Sequence, residues 1–279
     1  MNADTPRSPH HRALNHVAAL ASGDPVDPAL RVTLNFHPDR AVRDGRSILD
    51  ALAQDGVYRS QFVTGTSNGG LTAHPGGDRW RWESRIFGGA YDEAPAHHRP
   101  VYGALNYRRR AVGGAHRFGS AHLRLRTEAL ARATFCYPDS ALEPADFGVA
   151  DALAPLIGLA EADGRDALDD CIEAHLHGPL VLGRDVEAIV LDPCYRDTEV
   201  EAAAHRLPFP VEWHPGFRLS VDELRRHPGY RGPEYVALGA GIAGDGVLTP
   251  RTVGEAVRTG RYDPQDLKRV WHCVARFGL

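Results

Sequence analysis

The sequence is poor in lysine and in long apolar runs. Lys268 is the only lysine, and 36 acidic residues against 32 basic ones give a formal net charge of -4. This balance argues against a nucleic-acid footprint over the whole surface. No apolar run reaches membrane-spanning length, and residues 1–23 lack the basic start and apolar core of a signal peptide. We therefore expect neither a nucleic-acid partner nor a membrane partner.

Cysteine is also scarce. The chain has four cysteines and none forms a C-x-x-C pair, the four being Cys136, Cys171, Cys194 and Cys273. This pattern excludes a disulfide scaffold and implies no structural zinc. We expect ordinary small core residues in a reducing compartment.

The rest of the composition is that of a globular protein. With 279 residues, 43% of them hydrophobic, the chain can bury one substantial core, or a core and a small second lobe. Residues 1–29 are predicted to be a polar tail with one short helix. Residues 32–36 alternate as a strand, and apolar spacing from Ile48 predicts a helix that Gly56 ends.

The predicted secondary structure changes twice along the remaining chain. Residues 58–137 are predicted to form short strands and long loops, with a clear strand alternation over 122–126. A helical insertion is expected over about 141–171, followed by strands within 171–182 and 186–192. Residues 216–279 are predicted to be mainly helical, with a good helix start at Asp263 and Pro264.

Residues 65–69, GTSNG, match the G-x-S-x-G pattern of serine hydrolases. A nucleophile elbow needs a helix directly after the serine, but Pro75 and a glycine pair follow instead. Ser67 is therefore not expected to be a nucleophile. The glycines of residues 65–70 would let backbone amides approach a ligand, although no Lys-Ser/Thr pair follows as in a P-loop.

Two groups of polar residues could carry chemistry. His37, Asp39 and Arg40 follow the first predicted strand, where Pro38 ends the sheet pairing, and their alternative interpretation is a solvated turn. Glu173, His175 and His177 alternate along a later strand and would share one face. That face is consistent with a metal site, a polar edge strand or a catalytic carboxylate held by imidazoles.

Arginine is concentrated in one stretch of the chain. These residues either clamp phosphates or form a solvated basic face, and they are Arg99, Arg108, Arg109, Arg110, Arg117, Arg124 and Arg126.

Four ordered motifs together resemble a known family. They are LNFHPDR (34–40), GTSNGG (65–70), RPVYGALN (99–106) and IEAHLHGP (172–179). They resemble a bacterial family catalogued as a domain of unknown function, some members of which look like PARP-like mono-ADP-ribosyltransferases. The resemblance runs from about residue 30 to the C-terminus. It implies an α+β fold, with an ADP-ribosyltransferase-like split mixed β-sheet core, a helical insertion and C-terminal helices, all within a catalytic domain of residues 30–279.

The best-known relatives in that family are bacterial effectors that attach ADP-ribose to threonine of ubiquitin. The resemblance implies an aspartate and a glutamate as catalytic residues, which fall on Asp39 and Glu173, with Glu187 as the alternative glutamate. Glu173 would stabilise the oxocarbenium character that develops when NAD loses nicotinamide. Asp39 would accept a proton from the acceptor hydroxyl or orient it.

NAD is then the expected substrate and a protein, with ubiquitin as the first candidate, the expected acceptor. The chain would act as a monomer, in the bacterial cytoplasm or after secretion without a classical signal peptide. The NAD-binding residues implied are His37, Arg40, Thr64, Gly65, Ser67, Asn68, Gly69, Tyr91, Tyr102, Asn106, His175 and His177.

Three other functions stay open at this point. The first is a metal-dependent hydrolase or oxygenase that uses His37, His175, His177 and Asp192. The second is a non-catalytic relative that only binds a partner such as ubiquitin. An α/β-hydrolase stands third.

Overall fold

The computed structural model describes residues 8–65 and 72–279. Its strands are β1 (Val32–Phe36), β2 (Val57–Tyr58), β3 (Val101–Leu105), β4 (Ala121–Leu125), β5 (Ala133–Tyr137), β6 (Asp146–Val149), β7 (Ile172–Leu176), β8 (Leu180–Val181), β9 (Val186–Leu191), β10 (Val211–Trp213), β11 (Leu219–Ser220) and β12 (Val247–Leu248).

The α-helices between the strands are mostly short. They are α1 (Pro9–Leu20), α2 (Ile48–Asp55), α3 (Gln61–Thr64), α4 (Asp78–Ile86), α5 (Ala154–Ala162), α6 (Leu182–Asp185), α7 (Glu199–Ala204), α8 (Val221–Leu224), α9 (Pro228–Arg231), α10 (Pro233–Ile242), α11 (Pro250–Arg258) and α12 (Pro264–Phe277). Across the two described ranges, no helix combines the length and apolarity needed to cross a bilayer.

Eight strands form one mixed sheet in the order β10-β9-β4-β1-β3-β7-β5-β6. The neighbours pair antiparallel, except that β10 runs parallel to β9. Strand β7 therefore lies inside the sheet, between β3 and β5. Its residue Glu173 is in register with Ala104 of β3 and with Cys136 of β5.

The two faces of this sheet are buried by different means. One face presents aliphatic side chains such as Leu34, Leu123 and Ile172 to α2, α5 and α7, and this contact is the main core. The opposite face carries polar residues, because Thr33, Glu173 and their cross-strand neighbours point away from that core. A second apolar core holds α8 and α10–α12 together around Trp271.

The structure confirms the coarse α+β class and several elements. Strand β1 has the predicted bounds, β4 carries the predicted alternation, and α2 ends at Gly56, which adopts a left-handed conformation. Helix α12 begins as predicted, because the Asp263 side chain accepts a hydrogen bond from the backbone N–H of Gln265. The part of the chain after residue 220 is largely helical.

Three segments differ from the prediction. The expected helical insertion at 141–171 contains strand β6 as well as one regular helix, α5. Helix α4 lies within residues 58–137, which were predicted to form short strands and long loops, and Gly77 is the residue that precedes the helix. Helix α1 belongs to no loose tail, because Ala13 and Val17 are fully buried in a small apolar cluster with Phe87 and Tyr91.

Gly119 supplies a test of this packing. A Cβ at this position would lie 2.0 Å from the backbone carbonyl carbon of Phe36, which cannot move away as a flexible side chain could. We expect Gly119→Ala to lower the free energy of unfolding by about 1–3 kcal/mol, the usual penalty of overpacking.

The matched control is Gly158→Ala in α5, where an added Cβ meets no atom within 4 Å. This change should raise stability by about 0.5–1 kcal/mol through helix propensity. Urea unfolding of both variants measures the difference, and a Gly119→Ala chain as stable as Gly158→Ala would contradict the close approach.

Candidate functional site

A cavity of about 350 Å³ opens on the polar face of the sheet. Its volume lies within the range of small-molecule sites. The charged and polar side chains around it include Asn35, Arg79, Tyr102, Asp139, Glu173 and Lys268. Gln61 and Thr72 also line it, so the described residues on both sides of the 66–71 gap reach this cavity.

Glu173 is the buried carboxylate of this cavity, with a side chain that is 11% exposed. Burial by itself would raise its pKa, but the hydrogen bond from His175 and the charge of Arg79 bring the pKa below its ordinary value. Glu173 is therefore an anion at neutral pH. A buried anion of this kind needs strong and well-placed partners.

A chain of hydrogen bonds leads from Glu173 into the protein. His175 Nε2 lies 2.9 Å from Glu173 Oε1, and Thr134 Oγ1 lies 3.1 Å from His175 Nδ1. The same Oγ1 is 3.0 Å from His177 Nε2, and His177 Nδ1 is 2.6 Å from the Tyr91 hydroxyl. These groups are buried, and they connect strands β5 and β7 to the segment after α4.

The carboxylate fixes the direction of the first bond in this chain. The rings of Phe87 and Tyr102 pack edge-on against His175. Since Glu173 can only accept, His175 donates to it from Nε2. When the His175 proton is on Nε2 alone, Nδ1 accepts from the Thr134 hydroxyl, His177 donates from Nε2 to Thr134, and His177 Nδ1 accepts from the Tyr91 hydroxyl. In this tautomer all four bonds point towards Glu173.

Helix α4 supplies the cationic wall of the cavity. The Arg79 guanidinium lies 4.1 Å over the Tyr102 ring, and its Nε and Nη1 are buried with no hydrogen-bond partner among the described residues. One turn further, Glu83 accepts from Arg99 at 2.6 Å and from the Tyr102 hydroxyl at 3.0 Å. This pair anchors α4 and Tyr102 against the sheet, and Arg79 remains available for a ligand.

Several residues predicted for one site do come together. Glu173 and Tyr102 line the cavity, and His175, His177 and Tyr91 form the chain behind Glu173. The predicted sharing of one strand face by the three β7 residues is confirmed by the register. Strand β7 is not an edge strand, so that interpretation of the polar face was wrong.

The cluster after β1 lies elsewhere. Asp39 packs so tightly on α11 that a Cβ on Gly254 would be 1.6 Å from its Oδ2, and Arg258 Nη1 is 3.9 Å away. Neither of its carboxylate oxygens is hydrogen-bonded by a described residue, and burial raises its pKa. His37 packs edge-on against Trp271 at 5.1 Å, with its pKa lowered by burial to about 3.

The structure therefore does not pair Asp39 with Glu173. Neither Asp39, His37 nor Arg40 lines the cavity, because the C-terminal helices cover the end of β1. The second carboxylate of the cavity is Asp139, whose pKa is raised by burial and by the charge of Glu173.

The other predicted ligand residues are spread around the cavity. Asn106 is a turn residue whose side chain bonds both the N–H and the C=O of Arg110, and it lines a different cavity. Thr64 and Gly65 end α3, and Gly65 lies against the Arg43 guanidinium. The predictions for Ser67, Asn68 and Gly69 fall outside the described residues.

Glu187, the alternative glutamate, lies in a surface ion-pair network. It accepts from Arg31 at 2.9 Å and pairs with Arg124 at 3.2 Å, and its side chain is 34% exposed. Most of the other arginines of the predicted basic stretch are likewise paired with carboxylates: Arg99 with Glu83, Arg108 and Arg110 with Asp170, Arg109 with Asp27, and Arg117 with Asp169. They form neither a phosphate clamp as a group nor a solvated basic face.

The residues that sequence reasoning missed lie on α4 and β5. The buried residues of α4 are Arg79, Glu83 and Ile86, and their spacing of four and three places them on one face of the helix. That spacing was the available signal. Thr134 and Cys136 carried none, because their role depends on pairing between β5 and β7. The four residues of the metal hypothesis are not gathered: Asp192 accepts from the N–H groups of Cys194 and Phe217 instead.

One family model matches this chain. It is described as Protein of unknown function (DUF3626), and it matches residues 31–160 and 149–277. No curated protein matches the chain.

Thr134 tests the hydrogen-bond chain. Thr134→Val keeps the shape of the side chain but leaves His175 Nδ1 and His177 Nε2 without their shared partner. We expect the free energy of unfolding to fall by about 1–3 kcal/mol, the usual effect of unpaired buried polar groups. Thr134→Ser retains the hydroxyl and should leave the ¹⁵N chemical shifts of both imidazoles as they are in the unaltered chain. Unchanged shifts in Thr134→Val would contradict the chain.

Proposed function

The chain belongs to the family described as Protein of unknown function (DUF3626), and from its cavity we propose that it is a mono-ADP-ribosyltransferase that transfers ADP-ribose from NAD to a protein. The observation that carries this proposal is the ionised, buried Glu173 in a cavity that also presents Arg79, two of whose buried nitrogens have no hydrogen-bond partner among the described residues. The large sheet would be a variant of the split ADP-ribosyltransferase sheet. Ubiquitin, through a threonine, is the first acceptor to test.

Glu173 would act on the bond between nicotinamide and ribose. When this bond breaks, its electron pair leaves with nicotinamide and positive charge develops on the ribose. A fixed carboxylate stabilises that charge more in the transition state than in the substrate. The hydrogen bonds from His175 and beyond hold the carboxylate in place, so little reorganisation is needed during the reaction.

The cations of the cavity would hold the diphosphate of NAD. Arg79 presents two buried N–H-bearing nitrogens with no partner among the described residues, and Arg117 and Lys268 line the same cavity. A planar guanidinium suits phosphate oxygens because it can donate two parallel hydrogen bonds. The Tyr102 ring beneath Arg79 keeps the guanidinium plane fixed.

A second carboxylate would serve the acceptor hydroxyl. Asp139 lines the cavity beside Glu173, whereas Asp39 is enclosed by α11. The raised pKa of Asp139 suits proton acceptance near neutral pH better than an ordinary carboxylate does. We therefore assign to Asp139 the role that the sequence had suggested for Asp39.

Glu173→Gln tests the role in NAD cleavage. The change removes the negative charge and should reduce nicotinamide release by about 100-fold or more. Glu187→Gln is the matched control, since Glu187 is also a strand glutamate paired with cations but lies outside the cavity. Its effect should be within about twofold, because exposed ion pairs contribute little.

Nicotinamide release should be measured with and without ubiquitin, and ubiquitin weighed by mass spectrometry. One added ADP-ribosyl group, lost in Glu173→Gln, supports the full proposal. Nicotinamide release without labelled ubiquitin would show another acceptor. A wild-type chain that consumes no NAD in either condition overturns the proposed function.

Arg79→Gln tests the contact to the diphosphate. Loss of a charge-assisted hydrogen-bonding group should raise KM for NAD by about 10- to 100-fold and change kcat less. Arg81→Gln on the same helix is the control, because the Arg81 side chain is 61% exposed and pairs with Asp78. Equal KM values in the two variants would remove Arg79 from the binding site.

A further inference from the structure

A thiol completes a group of three metal-binding side chains around Glu173. The Cys136 Sγ, a Glu173 carboxylate oxygen and a ring nitrogen of His175 all lie within 4.8 Å of one another. The Cys136 thiol is 3.9 Å from Glu173 Oε1, and His175 Nε2 is 2.9 Å from the same oxygen. Cys136 of β5 faces Glu173 of β7, and His175 lies two residues further along β7, so the sheet holds all three.

We propose that Cys136, Glu173 and His175 form a zinc-binding site at the inner end of the cavity. Sulfur, imidazole nitrogen and carboxylate oxygen form a mixed set that zinc binds readily, whereas calcium and magnesium prefer oxygen alone. Three protein ligands leave a fourth position of the tetrahedron for water. Glu173 lines the cavity, so the ion can enter from solvent through the cavity and the water ligand can occupy it.

The charges of the site balance when zinc binds. Zinc displaces the thiol proton of Cys136, and the resulting thiolate and the Glu173 carboxylate together neutralise the ion. Beyond the ligands, Arg79 and Asp139 face the same cavity and carry opposite charges. Neutrality matters because the site is buried, where an uncompensated charge is strongly disfavoured.

The hydrogen-bond chain can follow this change. Without metal, the Nε2 proton of His175 points at Glu173. With zinc on Nε2, the imidazole carries its proton on Nδ1, where Thr134 Oγ1 lies 3.1 Å away and can accept it. The Thr134 hydroxyl then donates to His177 Nε2, and His177 donates from Nδ1 to the Tyr91 oxygen. A ligating histidine that donates from its other nitrogen is the usual arrangement in zinc sites. Thr134 thus orients His175 in both states.

Cobalt(II) provides a direct test, because a thiolate ligand gives cobalt a charge-transfer band in the near ultraviolet. The full chain, freed of metal by a chelator, should bind one equivalent of cobalt with this band, and zinc should displace it. Cys136→Ser should lose the band. Cys171→Ser is the control, because Cys171 is also a buried thiol and lines the same cavity but lies outside the group. No binding, or a band lost in Cys171→Ser alone, overturns the proposal.

One further measurement keeps the test independent of variant folding, and another tests the residue that orients His175. Zinc-edge X-ray absorption of the unaltered chain should show one sulfur ligand with nitrogen and oxygen ligands, and a spectrum without sulfur overturns the assignment. Thr134→Val, compared with Thr134→Ser, should weaken zinc binding about 10- to 100-fold, as loss of a residue that orients a ligand does. Equal affinities of these two variants count against the site.

One consequence rests on the proposed function: zinc engages Glu173 and should inhibit NAD consumption. The metal titrations use no NAD, so the two proposals can fail separately. A chain that binds cobalt through Cys136 but consumes no NAD keeps the metal site and overturns the transferase. A chain that consumes NAD but binds no metal does the reverse.

Discussion

The burial of an ionised carboxylate inside a sheet is the constraint on which the site depends. Glu173 lies on β7, which has strands on both sides, and its side chain opens onto the cavity. Such a group survives in the folded chain only if fixed donors and charges replace its hydration. His175 donates directly, and Arg79 supplies the nearby positive charge. The polar face of the sheet is built around this requirement.

The same requirement explains why residues distant in sequence converge. Thr134 Oγ1 is the shared partner of His175 Nδ1 and His177 Nε2, and the Tyr91 hydroxyl is the partner of His177 Nδ1. Tyr91 in turn is held by the contact of α1 with the segment after α4. Helix α1, which composition suggested to be a tail, is therefore connected to Glu173 through packing and hydrogen bonds.

Local pattern predicted those parts of the fold that local pattern determines. Alternation placed Glu173, His175 and His177 on one face, and cap residues placed α2 and α12. Local pattern could not predict which side chains surround that face. The neighbours of β7 are β3 and β5, and their register is set by pairing between residues distant in sequence. Asp39 shows the opposite error. The end of β1 was predicted to be a site, but helices from residues beyond 220 cover it. No local sequence pattern predicts that contact.

Arg79 gives the clearest reason to regard the cavity as a binding site rather than a packing defect. Buried guanidinium nitrogens are normally paired, because an unpaired nitrogen loses its hydrogen bonds to water and gains none in the protein. Arg99, on the same side of the sheet, follows this rule with Glu83 and the backbone carbonyl of Tyr91. Arg79 Nε and Nη1 depart from it within the described part of the chain, although Glu83 lies one turn away on the same helix. Glu83 accepts hydrogen bonds from Arg99 and Tyr102 instead, and Arg79 lines the cavity. An anionic ligand beside Glu173, rather than a fixed carboxylate, is the group that would complete its hydrogen bonds.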